Sequence, residues 1–122
     1  MVKQVIIVRD DLDMSMGRIP AQVAHASLAV ILSFGKWKDD SFSIDNVPLD
    51  IQYWMKDSFV KIVLKVHSEE ELNELELKAE VLNLPTAMIS DTINRKFEKT
   101  ALAIGPADSK LLDKITGSLF LL

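Results

Sequence analysis

The sequence predicts an α/β domain of three layers, α/β/α, with helices on both faces of a small mixed sheet. Three observations carry that prediction. The β-branched run Val5-Ile6-Ile7-Val8 reads as a strand buried on both faces. A polar turn then leads directly into an apolar helical stretch, the opening of a βαβ unit. Strand-like and helical segments follow in the pattern β-α-(α)-β-α-β-β-α. With 122 residues, 48% of them apolar, the chain is long enough for one core and too short for two, so residues 1–122 are expected to form a single domain.

The elements follow in order. Lys3 to Arg9 is the first strand, and Asp10 to Gly17 is turn-like. A helix begins near Arg18 with Pro20 in its first turn, where a missing N–H costs nothing, and ends near Phe34 at Gly35. Lys36 to Pro48 is a polar connection, and Leu49 to Lys56 a short helix. Phe59 to Val66 is the second strand, burying either Phe59, Ile62 and Leu64 or Val60, Val63 and Val66. Ser68 and Glu71 form a capping box for a helix whose stripe is Leu72, Leu75, Ala79 and Leu82. Thr86 to Ser90 and Thr100 to Ile104 are the third and fourth strands, separated by a charged loop from Asp91 to Lys99. Gly105-Pro106 breaks the last strand, and Asp108 to Ile115 is the final helix. The tail Leu119 to Leu122 is apolar enough to need cover, from the body or from a partner chain.

Composition narrows the chemistry. The chain has no cysteine, which removes disulfides, thiolate metal sites and thiol nucleophiles and is compatible with a cytoplasmic location. Its longest apolar run, Ala26 to Phe34, is far short of the roughly 20 residues of a membrane span. The N-terminus runs straight into the first strand, leaving no room for a signal peptide. A formal charge of -4 argues against nucleic-acid binding through global charge. A local basic surface from Arg9, Arg18, Lys36, Lys38, Arg95, Lys96 and Lys99 stays open. His25 and His67 lie in different elements, so no metal site is expected. Neither a Gly-x-Ser-x-Gly elbow nor a glycine-rich phosphate loop is present.

The most informative segment is the start of the first helix. Arg18, Gln22 and His25 lie four and three residues apart and share one face of a helix otherwise built from Ile, Val, Ala and Leu. A cation, an amide and an imidazole so arranged point to a cleft.

The same segment, Gly17-Arg18-Ile19-Pro20-Ala21-Gln22-Val23-Ala24-His25-Ala26, resembles the helix start of type 2 peptidyl-tRNA hydrolases, which read Gly-Lys-Ile-Ala-Ala-Gln-Cys-Ser-His-Ala. Lys3 to Arg9, Val63-Leu64-Lys65-Val66 with its Ser-Glu-Glu-Glu-Leu cap, Leu84 to Asp91, Thr100 to Pro106 and Ile115-Thr116-Gly117 are similar to the family in the same order. The resemblance implies a mixed four-stranded sheet, often in a homodimer, and hydrolysis of the ester joining a peptide to tRNA, without cofactor. It implies catalytic roles for Arg18, Asp91 and Thr100, and substrate contact by Gln22 and His25. The chain departs from the family at Met16 and Arg18, both usually lysine, and at Thr92 to Lys99, a shorter segment lacking the family's glycine and threonine.

Ester hydrolysis needs an activated water and a stabilised oxyanion. Asp91 would take a proton from water or from the Thr100 hydroxyl, Arg18 would supply positive charge, and Gln22 would orient water or carbonyl. Arg95 and Lys96 are candidate tRNA contacts. Each residue also has a structural reading. Arg18 pairs with Asp10, Asp11 or Asp13; His25 is a hydrogen-bonded interior histidine; Asp91 caps a turn; Thr100 fills a strand position. The competing function is a non-catalytic binding or regulatory module on the same fold. Hydrolysis of a smaller ester or amide is a third.

Overall fold

The computed structural model describes residues 1–122. Its main sheet is mixed and has the order β5-β6-β1-β4-β7. β1 (Val2–Arg9) lies at the centre, parallel to β4 (Lys61–Val66) and antiparallel to β6 (Lys96–Asp108). β5 (Thr86–Ile93) pairs antiparallel with β6 at one edge, and β7 (Phe120–Leu121) with β4 at the other. The parallel pair requires a crossover. That crossover carries α1 (Arg18–Leu32), a hairpin of β2 (Lys36–Lys38) and β3 (Ser41–Ser43), and α2 (Leu49–Lys56).

β1 is buried on both faces because its residues alternate between two cores. Val5 and Ile7 join Leu64, Val66, Leu102 and Ile104 beneath α3 (Glu69–Val81) and α4 (Ser109–Thr116). Ile6 and Val8 join Ala101 and Ala103 beneath Ala26 and Val30 of α1. The alanines let α1 lie close to the sheet, which brings its polar flank within reach of β5.

The expected class is therefore present, with five strands in the sheet in place of four. The fifth is the apolar tail. It folds back on its own chain through Leu119 packing and backbone pairing to Leu64 and Lys65. The polar connection contains a hairpin, with Trp37 and Phe42 in edge contact at 5.2 Å. Gly105-Pro106 does not end its strand; β6 passes through it to Asp108. The two face assignments offered for β4 are both partly right, since Ile62, Leu64 and Val66 face one core and Val63 the other. Leu82 is the C-cap residue of α3 and half exposed, outside the buried stripe. Ser68 caps α3 as expected by accepting from Glu71 N–H at 3.2 Å, whereas the Glu71 carboxylate accepts from His67 N–H at 2.9 Å.

Asp91 to Lys99 is the correction that bears on function. It is a β-hairpin, with Asp91 opposite Glu98, Thr92 opposite Phe97 and Ile93 opposite Lys96. Asn94 and Arg95 form the two-residue turn, both at positive φ (49° and 70°). That geometry suits the twist of a two-residue hairpin.

Candidate active site

The site lies where the N-terminal half of α1 passes the β5–β6 hairpin. A cleft of about 560 Å³ is lined there by Ser15, Arg18, Ala21, Gln22, His25, Asp91 and Thr92. Two side chains of α1 staple the hairpin. Arg18 Nη1 donates to the Thr92 carbonyl at 2.9 Å and stands 3.7 Å from Asp91 Oδ2. Gln22 Nε2 donates to Asp91 Oδ2 at 2.9 Å. Behind Gln22, the Thr100 hydroxyl donates to Gln22 Oε1 at 2.6 Å. The Thr92 N–H donates to Asp91 Oδ1 at 2.7 Å. The helix start is itself held by Ser15, whose hydroxyl accepts the Arg18 N–H at 3.2 Å.

Asp91 thus receives a donor on each oxygen, and the Arg18 and Asp91 side chains at the cleft mouth are each 45% exposed, while Gln22 is buried. The Gln22 amide first and the Thr92 N–H second hold the Asp91 carboxyl below its ordinary value; desolvation opposes them, and the Arg18 guanidinium adds a lesser pull downward. A carboxylate has about four lone-pair sites, so two remain for a water molecule.

The predicted residues are not equivalent. Arg18, Gln22 and Asp91 converge, and His25 lines the same cleft. Thr100 is linked to Asp91 only through Gln22 and is completely buried. Arg95 and Lys96 project from the hairpin tip, outside the cleft lining. Several structural readings are corrected. Arg18 does not pair with Asp10, Asp11 or Asp13. Arg9 takes Asp11 in a two-point contact (Nε–Oδ1 3.0 Å, Nη2–Oδ2 2.7 Å), and His67 takes Asp10 at 2.7 Å. His25 is exposed on the cleft wall, not interior. Asp91 lies within a strand, where it accepts from its neighbour's N–H without capping a turn.

The wider basic surface is also thinned. Arg9 is buried and donates to the Lys99 carbonyl, Lys99 reaches Asn73 of α3 at 2.8 Å, and Lys36 pairs with Asp45. Ser15 and the Thr92 backbone were absent from the expected set. The serine three residues ahead of Arg18 was legible as a polar turn residue able to accept a backbone N–H, whereas a backbone carbonyl leaves no mark in a sequence. No three His, Asp or Glu side chains are arranged to hold a metal ion, and no helix is long and apolar enough to cross a membrane.

A mixed α/β fold that brings a carboxylate, a guanidinium and an oriented amide to one open cleft defines a site suited to activating water beside a polarised carbonyl. Comparison with known proteins gives that class a family. Residues 2–122 match the family described as peptidyl-tRNA hydrolase PTH2. The chain is 43% identical to a peptidyl-tRNA hydrolase of Sulfurisphaera tokodaii over 98% of each protein. It is 38% identical, over the full length of both, to those of Saccharolobus islandicus and Saccharolobus solfataricus. This chain belongs to the PTH2 family of peptidyl-tRNA hydrolases.

Proposed function

We infer that the protein hydrolyses the ester of peptidyl-tRNA, with Asp91 as general base and Arg18 as the cation facing developing negative charge. The observation that carries this reading is the Asp91 carboxylate, ionised and half exposed, flanked by Arg18 and Gln22 within one cleft. Asp91 accepts a proton as water attacks the ester carbon. Charge collects on the carbonyl oxygen near the Arg18 guanidinium. Collapse breaks the bond between that carbon and the ribose oxygen, which takes the proton back from Asp91, leaving a free peptide acid and tRNA. Arginine stays protonated, so Arg18 serves by charge alone, in place of the lysine usual in the family.

Arg95 and Lys96 are assigned to the tRNA backbone. Supporting this, neither has a carboxylate within ion-pair distance, and they stand at the tip of the hairpin whose Asp91 and Thr92 line the cleft. We also place the protein in the cytoplasm, where translation supplies the substrate, and assign it a homodimer. Support for the homodimer is an apolar groove of about 790 Å³ between α1, α2 and β4, lined in part by Val23, Leu28, Ile31, Trp54, Met55 and Phe59. The direct test is release of a labelled N-blocked amino acid from aminoacyl-tRNA by the purified protein. Turnover that disappears in Asp91→Asn supports the reading. A folded wild-type protein without turnover overturns it in favour of the non-catalytic module.

A further inference from the structure

Thr100 occupies an irregularity of the sheet. β5 and β6 pair regularly to Ile89 opposite Ala101 and resume at Ser90 opposite Lys99, so Thr100 is the extra residue of a β-bulge. Ala101 packs beneath α1. Strict alternation would therefore turn Thr100 toward the other face. The bulge cancels that turn: Thr100 reaches Gln22 of α1, and Lys99 goes instead to Asn73 of α3.

A side chain aimed in this way but completely buried cannot meet a substrate. What it meets is an amide with two unlike ends, itself only 1% exposed. One end of Gln22 faces Thr100 and the other faces Asp91. The single hydroxyl proton has two acceptors to choose from, Gln22 Oε1 at 2.6 Å from Thr100 Oγ1 and the Ile89 carbonyl at the longer 3.3 Å. With that proton on Oε1, the amide NH₂ points at Asp91 Oδ2, 2.9 Å away. Turned over, the amide would set an oxygen against the carboxylate at the same distance, a repulsive contact. Without the hydroxyl, Oε1 would be buried with no donor, and the preference between the two orientations would weaken.

We propose that Thr100 is a positioning residue, whose hydroxyl fixes which end of the Gln22 amide faces Asp91 and so keeps a donor against the catalytic carboxylate. The catalytic consequence rests on the hydrolase reading above; the orientation of the amide does not. The titratable groups that act on Asp91 are Arg18 and His25 from α1; Glu98 stands opposite it in register on β6, with its carboxylate 4.0 Å from Arg9 Nη1. None is altered by substitution at Thr100, so a changed titration of Asp91 reports the amide.

The test uses the whole protein with Thr100→Val, Thr100→Ser, Gln22→Ala and the Thr100→Val/Gln22→Ala pair. Hydrolysis of N-blocked aminoacyl-tRNA is followed across pH, and the Asp91 carboxyl is titrated by ¹³C NMR. Thr100→Val should lower kcat about 10-fold with KM within about 2-fold, in the pattern of a lost transition-state contact. The acid limb of its rate profile and the Asp91 midpoint should both move to higher pH. Thr100→Ser should restore wild-type behaviour, and the double variant should be no slower than Gln22→Ala. The proposal is overturned if Thr100→Val slows Gln22→Ala by the same factor as it slows wild type, or if the Asp91 midpoint does not move. Should valine prevent folding, Thr100→Ala replaces it in the same titration. A wild type with no turnover would remove the hydrolase reading, and the NMR midpoint would still decide the role of Thr100.

Discussion

The two flanks of α1 are built from the same few turns of helix and do opposite things. On one, Arg18, Gln22 and His25 face the β5–β6 hairpin across a polar cleft. On the other, Ile19, Val23 and Ile31 face α2 and β4 across a wider apolar groove. A period of 3.6 residues per turn sends the two sets in different directions, with Ala26 and Val30 between them against the sheet. The polar flank is held by directional bonds to one hairpin, so it supports chemistry. The apolar flank is held by area, so it supports association. Neither is what keeps the chain folded. Truncating a buried leucine such as Leu72 costs about 2–5 kcal/mol, whereas a solvent-exposed ion pair such as Arg18–Asp91 contributes little. The site can therefore be altered with the fold intact.

The polar flank is broken most completely at Asp91. Asp91→Asn should lower kcat by about 100-fold or more, the ordinary worth of a general base, with the melting temperature nearly unchanged. Its pH dependence follows from the donors around it. A carboxylate held below its ordinary value of 3.8 contributes stability that is present above the unfolded value and lost as pH falls through the lower folded value. Because the same carboxylate must be ionised to act as a base, wild-type activity should persist into mildly acidic buffer and fall only below the usual carboxylate range. An acid limb near neutrality would assign the base to another group.

Arg18→Ala should cost roughly 10-fold in kcat/KM, and Arg18→Lys should recover most of it if the residue acts by charge alone. On the opposite flank, Leu28→Glu should shift a homodimer to monomer in sedimentation equilibrium while leaving kcat within about 3-fold. A dimer that survives this change would move the interface elsewhere. Arg95→Ala with Lys96→Ala should flatten the dependence of log K for tRNA on log salt by about 1.4 to 1.8, the loss of two phosphate contacts. The smallest effect belongs to His25. It is exposed on the cleft wall, so His25→Ala should change stability by less than about 0.5 kcal/mol and turnover by a few-fold, as measured by urea unfolding and initial rates.

Much of this molecule can be read locally. The alternation of β1, the serine cap of α3 and the spacing of Arg18, Gln22 and His25 are short-range patterns, and β1 and the four helices lie within a residue or two of their expected places, whereas β5 and β6 run three or four residues beyond theirs. The errors have a common cause in long-range pairing. Asn94-Arg95 lacks the glycine that marks a hairpin turn, so a strand pair looked like a charged loop. The tail Phe120-Leu121 is too short to announce a strand and becomes one only because the β4 edge is there to pair with. Arg9 looked like an available cation and is instead spent on Asp11.

The order of residues along the chain by itself determined the α/β class, the polar face of α1 and the place of Thr100 in a strand, with Asp91 expected in a loop just beyond one. Only the tertiary structure decided that Asp91 is reached through Gln22, that Thr100 stands behind the amide and not in the cleft, and that Arg95 and Lys96 sit at a hairpin tip. Periodicity is a property of neighbours within a few residues and is written in the chain. A bulge, a register and a hydrogen bond between residues 69 or 78 positions apart depend on how separate elements settle against one another, and no local pattern encodes that.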